Sequence, residues 1–491
     1  MIIVSITGPD MKGALSQLKS SSRYADIVEF RLDLIRNARL ERLMAATRKP
    51  VIITCRPRWE GGAFSGREEV RLRLLSHALE LGAEYVDIEL RSSRSSLEQL
   101  INSRRDGVVV SVHYHERRAI DVDSLYDRMH ATGAAVLKFA YTALDAHDIR
   151  HAVRFLERAR QDRRKAVAIA MGEAGEASRI VYRTLGGWAT YGAPGQGKLA
   201  APGQVSVREL RELYRAHRLT SRTKVFGVIG NPVRQSKGIV VHNTLFAHDG
   251  VNAVYVRFPV ANLRAFMQHG APVMHGFSVT VPHKERVMKF LDHIDPTARK
   301  IGAVNTVVRR NRGWYGTNTD AAGALDAIEH RLRVRSRSVM VIGAGGAARA
   351  IAYEAQRRGA SVTIANRTEA RGRKLARSLD IAAIRLADIP AHRFDIMINA
   401  TPVGMIPDTR RTPLPDRWVH ASVVFDAVYN PPMTRFLHDA RKNRARIISG
   451  TEMYINQAAL QYQLFAGRNP DLKEMKRALG GPRPKAHRRK R

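Results

Sequence analysis

The sequence predicts an α/β chain in two consecutive parts. The first closes its strands into a barrel and the second is built around an open parallel sheet. Three observations carry this expectation. Eight short apolar runs alternate with amphipathic charged segments from Met1 to about Ala216, the rhythm of parallel strands with crossover helices in a (β/α)8 barrel. A new strand begins at Val225, after the polar segment Leu219–Lys224. Further on, a glycine-rich turn joins a strand to a helix in the manner of a dinucleotide site.

Composition sets the outer bounds. A chain of 491 residues holds about two to four domains. With Cys55 as its one cysteine, it cannot form an intrachain disulfide or a cysteine-rich metal site, so no metal and a reducing, cytoplasmic compartment are expected. The start, MIIVSITGPDMKG, does not read as a signal peptide, and no apolar run reaches bilayer length. The formal charge of +37 is spread over both halves, and only Arg483–Arg491 forms a basic cluster. We read that cluster as a disordered tail, with no membrane and no specific nucleic-acid partner expected; the oligomeric state stays open.

The eight runs are residues 2–7, 26–33, 51–56, 84–90, 108–114, 135–140, 166–172 and 188–193. A barrel places its chemistry at the C-terminal strand ends. There the sequence puts Glu29 and Arg31 on strand two, Arg56 on strand three, His113 on strand five, Lys138 on strand six and Arg179 after strand seven. Lys138 interrupts the apolar run Val136-Leu137-Lys138-Phe139-Ala140. Burial is expected to push its pKa down, towards a neutral amine able to attack a carbonyl. A lysine paired with Glu29 is the plain alternative. His113 is the natural acid/base partner, with His115 a competitor nearer the loop. Residues 192–204, GAPGQGKLAAPGQ, read as a mobile lid.

The segments EFRLD, TCRPRWEGG, VVVSVHYHE, VLKFA, GEAGEASR and AAPGQ, in this order, resemble type I 3-dehydroquinate dehydratase over residues 1–217. The resemblance implies that Lys138 forms a Schiff base with the substrate ketone while His113 moves the protons. It also implies that Arg179 holds the substrate carboxylate, that Glu29, Arg31 and Arg56 hold hydroxyls, and that Gln204 lies on the closing loop. One departure is Ala200, where the family often has serine, which removes a lid hydroxyl.

In the second half, the strand Val339–Ile342 runs into Gly343-Ala344-Gly345-Gly346-Ala347-Ala348, a G-x-G-x-x-A pattern, followed by a helix Arg349–Arg358 and a strand Ser361–Ala365. Gly343 permits the tight turn, Gly345 lets backbone approach a pyrophosphate and Ala348 is small enough for helix–strand packing, so with Gly346 and Ala347 in the same turn the phosphates can sit on the helix N-terminus. At the end of the second strand an NAD site wants a carboxylate. This chain offers Asn366-Arg367-Thr368, suited to a 2′-phosphate, so NADP is expected, with Glu369 turned away. Upstream, Lys284 and Asp320 are a plausible dyad for interconverting an alcohol and a ketone, though each alone also reads as helix-terminus chemistry.

Gly230-Asn231-Pro232, SVTVPHK, AVNT, TNTD, GAGGAAR, NRT, INATPVGM and Gln457 together resemble shikimate dehydrogenase over about 223–470. The resemblance implies a two-domain dehydrogenase, with an α/β substrate domain of residues 223–320 completed by 452–479 and a Rossmann NADP domain of 321–451. The barrel would occupy 1–218 and the tail 480–491. On this reading Lys284 and Asp320 are catalytic, and Ser236, Thr280, Asn305, Gln457 and Tyr429 bind substrate. Thr401 and Met405 lie along the nicotinamide. The family's second hydroxyl of Ser-x-Ser is Gly238 here, a loss of about 1.5–3 kcal/mol at a charged group. The vacated volume would admit the extra substituent of quinate, whereas Thr280 favours shikimate.

The two resemblances imply one bifunctional enzyme that dehydrates 3-dehydroquinate and reduces 3-dehydroshikimate to shikimate with NADPH. The alternatives are a quinate-preferring dehydrogenase half and a retired ring-acid or nucleotide-sensing binding protein.

Overall fold

The computed structural model describes residues 1–116, 119–195, 203–311 and 313–480. These fall into two compact units divided between His275 and Gly276. The expected lid is described only in part, because residues 196–202 with Ala200 lie outside the described residues, as does the basic tail beyond Gly480.

The first unit opens with β1 (Ile2–Ile6), β2 (Ile27–Arg31), β3 (Val51–Thr54), β4 (Tyr85–Glu89), β5 (Val108–Tyr114), β6 (Val136–Thr142), β7 (Lys165–Met171) and β8 (Thr190–Gly192). They lie in the order β7-β6-β5-β4-β3-β2-β1-β8, and every described pairing is parallel. Trp188 N donates to Ala166 O at 2.8 Å, drawing the chain that enters β8 onto β7. This is the eight-stranded barrel that the alternation predicts.

Side chains alternate along a strand, so residues two apart share the interior. The lower interior is apolar, with Ile3, Ile27, Ile52, Tyr85, Val109 and Val136 in one cluster. Two residues further along each strand the interior turns polar, at Ser5, Glu29, Thr54, Asp87, Ser111 and Lys138. Register puts Glu89, Ser111 and Lys138 side by side across β4, β5 and β6. The apolar floor holds the barrel together and the polar layer above it holds the chemistry.

The barrel's last helix is short. It spans Val207–Glu212, started by a capping box between Ser206 and Glu209. Arg215, at φ 51°, breaks the run before a 3-10 turn at Ala216–Arg218. The unit continues into β9 (Lys224–Gly230) and β10 (Ala253–Pro259), a parallel pair, with the helix Gly238–His248 between them.

In the second unit, β11 (Gly276–Val279) and β13 (Thr306–Arg310) are antiparallel, as are β13 and β14 (Gly313–Thr317), while β12 (His293–Ile294) runs parallel to β14. The sheet that follows contains β15 (Ser338–Ile342), β16 (Ser361–Ala365), β17 (Ala382–Ile384), β18 (Ile396–Asn399), β19 (Val423–Asp426) and β20 (Arg446–Ile448). Its order is β17-β16-β15-β18-β19-β20, all parallel. That is the doubly wound order of a dinucleotide-binding sheet, with its switch point at β15 and β18. Val339 and Val341 of β15 pack into one apolar cluster, Met340 and Ile342 into another, so both faces are covered. Among the described residues no helix is long and apolar enough to cross a membrane.

Candidate functional site

Lys138 Nζ lies 2.8 Å from Asp87 Oδ2 and 3.3 Å from Glu29 Oε1, over the face of Tyr191 at 4.2 Å. Burial acts to lower its pKa, as the sequence suggests, but Asp87 and Glu29 outweigh burial and hold the ammonium above the ordinary lysine range. The expectation of a resting neutral amine is therefore corrected. A charge at this depth is kept because it is paired.

The same carboxylates bind Arg56. Its Nη2 donates to Asp87 Oδ2 at 3.0 Å and its Nη1 to Glu89 Oε1 at 2.6 Å and Ser111 Oγ at 3.0 Å. Ser111 Oγ donates to Asp87 Oδ1 at 2.6 Å. Arg71, fully buried, grips the other oxygen of Glu89 at 2.5 Å. Glu29 accepts from Thr54 Oγ1 at 3.0 Å and from Ser5 Oγ.

His113 sits one polar layer higher. Its backbone N donates to Glu60 Oε1 at 2.6 Å, its ring stacks on His115 with centroids 6.2 Å apart, and its Nδ1 has no hydrogen-bond partner among the described residues. Burial, reinforced by Arg56 and Lys138, keeps its pKa well below the ordinary histidine value, so the ring is neutral at pH 7. His115 is tied to Glu60 O at 3.2 Å.

Arg179 is buried, yet its described hydrogen bond is one from Nη1 to Tyr191 O at 3.3 Å, and Nε has no partner among the described residues. Burial lowers its pKa to about 10, still a cation at neutral pH. Arg31 is committed to Asp33 by two bonds of 2.9 and 2.8 Å. Gln204 presents a buried Oε1 without a partner among the described residues.

In the second unit, Lys284 Nζ meets Asp320 Oδ2 at 2.5 Å. Asp320 is buried in the first turn of the helix Thr319–Glu329, N-capped by Asn318. Asn305 Nδ2 donates to Thr319 Oγ1 at 2.9 Å, and Thr319 Oγ1 reaches Gln457 Oε1 at 3.5 Å. Gln457 comes this close because a Cβ on Gly323 would lie 2.7 Å from Gln457 N. Thr280 is half-buried at the end of β11. Tyr429 packs on Tyr454 with centroids 5.1 Å apart.

The Lys–Asp pair adjoins the glycine turn, because a Cβ on Gly346 would lie 3.7 Å from Lys284 Cδ. Gly343 has φ 124°, and a Cβ there would meet Ala400 O and Thr401 Cγ2 at 3.1 Å. A Cβ on Gly345 would point into open space. The helix spans Gly346–Arg357, opening three residues earlier than expected, and has no side-chain cap. Its first N–H groups, at Gly346 and Ala347, are thus offered outward, which fits a pyrophosphate. Arg367 and Thr368 are exposed, while Asn366 Nδ2 is bonded to Thr368 O at 2.8 Å. Glu369 pairs with Arg373 at 3.2 Å, four residues on. Thr401 is fixed by Asn399 Oδ1 at 2.6 Å, and Met405 is exposed beside it.

In the first unit, Ser236 Oγ accepts from Gly238 N at 3.3 Å. A Cβ on Gly238 would meet Tyr255 Cε1 at 3.2 Å. The room expected from the missing side chain is therefore bounded by the Tyr255 ring.

Four family models match in succession: type I 3-dehydroquinase over residues 2–221, the shikimate dehydrogenase substrate binding domain over 228–307, shikimate/quinate 5-dehydrogenase over 326–406, and the shikimate 5′-dehydrogenase C-terminal domain over 450–479. A bifunctional 3-dehydroquinate dehydratase/shikimate dehydrogenase of Arabidopsis thaliana is 38% identical over 486 residues, covering 93% of this chain and 80% of the relative. The chain belongs to the bifunctional 3-dehydroquinate dehydratase/shikimate dehydrogenase family. A shikimate biosynthesis protein of Chlamydia pneumoniae is 29% identical over 95% of both chains. A crystal structure of shikimate dehydrogenase in complex with NADP+ matches with TM-score 0.50 and 37% identity, over 53% of this chain and 96% of that one.

Sequence reasoning missed Asp87, Glu89, Ser111 and Glu60, which bind Lys138, Arg56 and His113. The signal for the first two was present: carboxylates two apart in the otherwise apolar Tyr85–Glu89 are as anomalous as Lys138 in its own strand. Glu60 lies in the 3-10 turn Arg58–Glu60, where no periodicity marks it.

Proposed function

We propose that the chain catalyses two consecutive reactions. Residues 1–218 dehydrate 3-dehydroquinate to 3-dehydroshikimate. Residues 223–320 with 452–479, together with the NADP domain 321–451, reduce that product to shikimate. The observation that carries the reading is the meeting of two buried cations at Tyr191. Lys138 lies over its ring, and Arg179, short of partners, lies on its carbonyl.

In the first reaction Arg179 receives the substrate carboxylate, while Glu29, Arg31, Arg56 and Gln204 orient its hydroxyls. Lys138 gives up its proton and attacks the ketone carbon, and water leaves as the imine forms. The neutral His113 takes the α-proton and returns a proton to the departing β-hydroxyl, which leaves as water. Hydrolysis of the imine frees the amine and 3-dehydroshikimate, so the net loss is one water.

In the second reaction bound NADPH supplies a hydride. Lys284 delivers a proton to the ketone oxygen, and Asp320 holds the ammonium in place. Thr280, Asn305, Gln457 and Tyr429 hold the ring acid. Gly343, Gly345, Gly346, Ala347, Asn366, Arg367, Thr368, Thr401 and Met405 line the cofactor. A cytoplasmic location belongs to the same proposal, and no membrane or nucleic-acid partner is invoked.

A coupled assay with 3-dehydroquinate and NADPH, followed at the enone and nicotinamide absorbances, tests both halves. K138A should abolish the first step and leave reduction of added 3-dehydroshikimate intact, and K284A should do the reverse. If either substitution stops both reactions in a folded chain, the two-site assignment fails.

A further inference from the structure

Arg179 sits on the short helix Glu176–Ile180, and Glu176 lies three residues before it on the same face. Among the described residues, Glu176 is the one charged group that acts on Arg179, and it pulls against burial. Its carboxylate is already occupied. Arg257 of β10 places Nη1 3.0 Å from Glu176 Oε1, and Tyr214 OH reaches the same oxygen at 3.4 Å. Nothing in the dehydratase resemblance, which ends at residue 217, accounts for Arg257.

The contact is part of a wider seam at the catalytic rim of the barrel. Asp145, in the loop after β6, accepts from Ala261 N at 3.0 Å and Asn262 N at 2.7 Å. The stretch from Arg257 to Asn262 therefore bears on the loops that follow β6 and β7, the strand of Lys138 and the strand preceding Arg179. Burial pushes Glu176 upward in pKa and Arg257, in contact with its carboxylate, opposes that shift. With Arg257 gone, that carboxylate still acts on Arg179, three residues along the same short helix and the group reserved for the substrate's carboxylate.

We propose that Arg257, in the dehydrogenase half, is a positioning residue of the dehydratase: by occupying Glu176 it keeps Arg179 open to the carboxylate of 3-dehydroquinate. The inference rests on the reading of Arg179 given above. Removing Arg257 lets Glu176 compete with substrate, which weakens binding without touching Lys138 or His113.

Dehydratase kinetics on the full chain test this. R257M should raise KM for 3-dehydroquinate about tenfold with kcat within about twofold of wild type. The double variant R257M/E176Q should bring KM back to within about threefold of wild type, because no carboxylate remains to close on Arg179. A wild-type KM in R257M overturns the proposal, and so does a double variant as impaired as R257M. Should R257M lose both activities through misfolding, R257Q replaces it under the same two outcomes. R179M separates the inference from its premise. A raised KM in R179M beside a wild-type KM in R257M sinks the inference alone, whereas a wild-type KM in R179M sinks the reading of Arg179.

Discussion

Asp87 Oδ2 accepts from Lys138 Nζ at 2.8 Å and from Arg56 Nη2 at 3.0 Å, so one buried carboxylate oxygen carries two buried cations. Asn at this position would leave both cations under-compensated. Breaking a buried pair from one side costs about 3–5 kcal/mol, so D87N should lower the unfolding midpoint in denaturant by a matching amount. The same loss removes the largest influence raising Lys138, so its pKa falls and more free amine is present at pH 8. D87N should then react faster than wild type with an amine-directed reagent at Lys138, read by peptide mass spectrometry. An unchanged rate in a folded variant would show that Asp87 does not hold the proton there.

His113 should ignore the pH range in which an ordinary histidine titrates. Burial, Arg56 and Lys138 all depress its pKa, so the neutral ring persists well below pH 6.5 and the dehydratase should show no inflection in kcat near that value. The direct measurement is the ring-proton NMR titration of His113. K138M removes one of the depressing cations, so the midpoint should move up. A titration at the ordinary value in the wild-type chain would contradict the burial argument.

Much of the first site is written in the sequence as anomalies against a period of two. Lys138 stands out because its neighbours in β6 are apolar, and the barrel could be expected from the recurrence of such runs. Asp87 and Glu89 obey the same logic, but two like charges in alternation also describe a strand with one wet face. Closure of the eight strands is what turns that face inward, and closure is a property of the whole sheet rather than of one strand. Glu60 and Arg257 were beyond reach for a different reason. Their partners His113 and Glu176 lie far away along the chain, and nothing local marks the pairing. The early start of the helix at Gly346 is a smaller miss of the same kind. Gly and Ala there suggest a turn, and it is the pairing of β15 with both neighbours that fixes where the helix begins.

Cofactor choice should turn on Arg367. It is exposed just after β16, and the carboxylate two residues on, Glu369, is drawn off to Arg373 at 3.2 Å. A charge-assisted hydrogen bond to a phosphate is worth about 1.5–3 kcal/mol, or roughly tenfold to a hundredfold in affinity. R367S should raise KM for NADPH by such a factor while leaving the weaker use of NADH and the dehydratase unchanged. Initial rates with the two cofactors decide it. Equal losses with NADPH and NADH would mean that Arg367 supports the fold of the loop instead.

Gly238 should resist the obvious repair. A serine there would restore the hydroxyl that the family uses, but its Cβ would lie 3.2 Å from Tyr255 Cε1 and 3.3 Å from Ser236 Oγ. Tyr255 cannot easily withdraw, because it is buried and stacked on His242 with centroids 4.4 Å apart. Overpacking of this kind costs about 1–3 kcal/mol, so G238S alone should be less stable than wild type and gain little affinity for shikimate. In G238S/Y255L the ring is gone, the new hydroxyl has room, and KM for shikimate should fall by about tenfold relative to Y255L. Thermal unfolding and shikimate oxidation kinetics on the three variants separate the two effects. If G238S alone were as stable as wild type and bound shikimate more tightly, Tyr255 would not be what bounds that space.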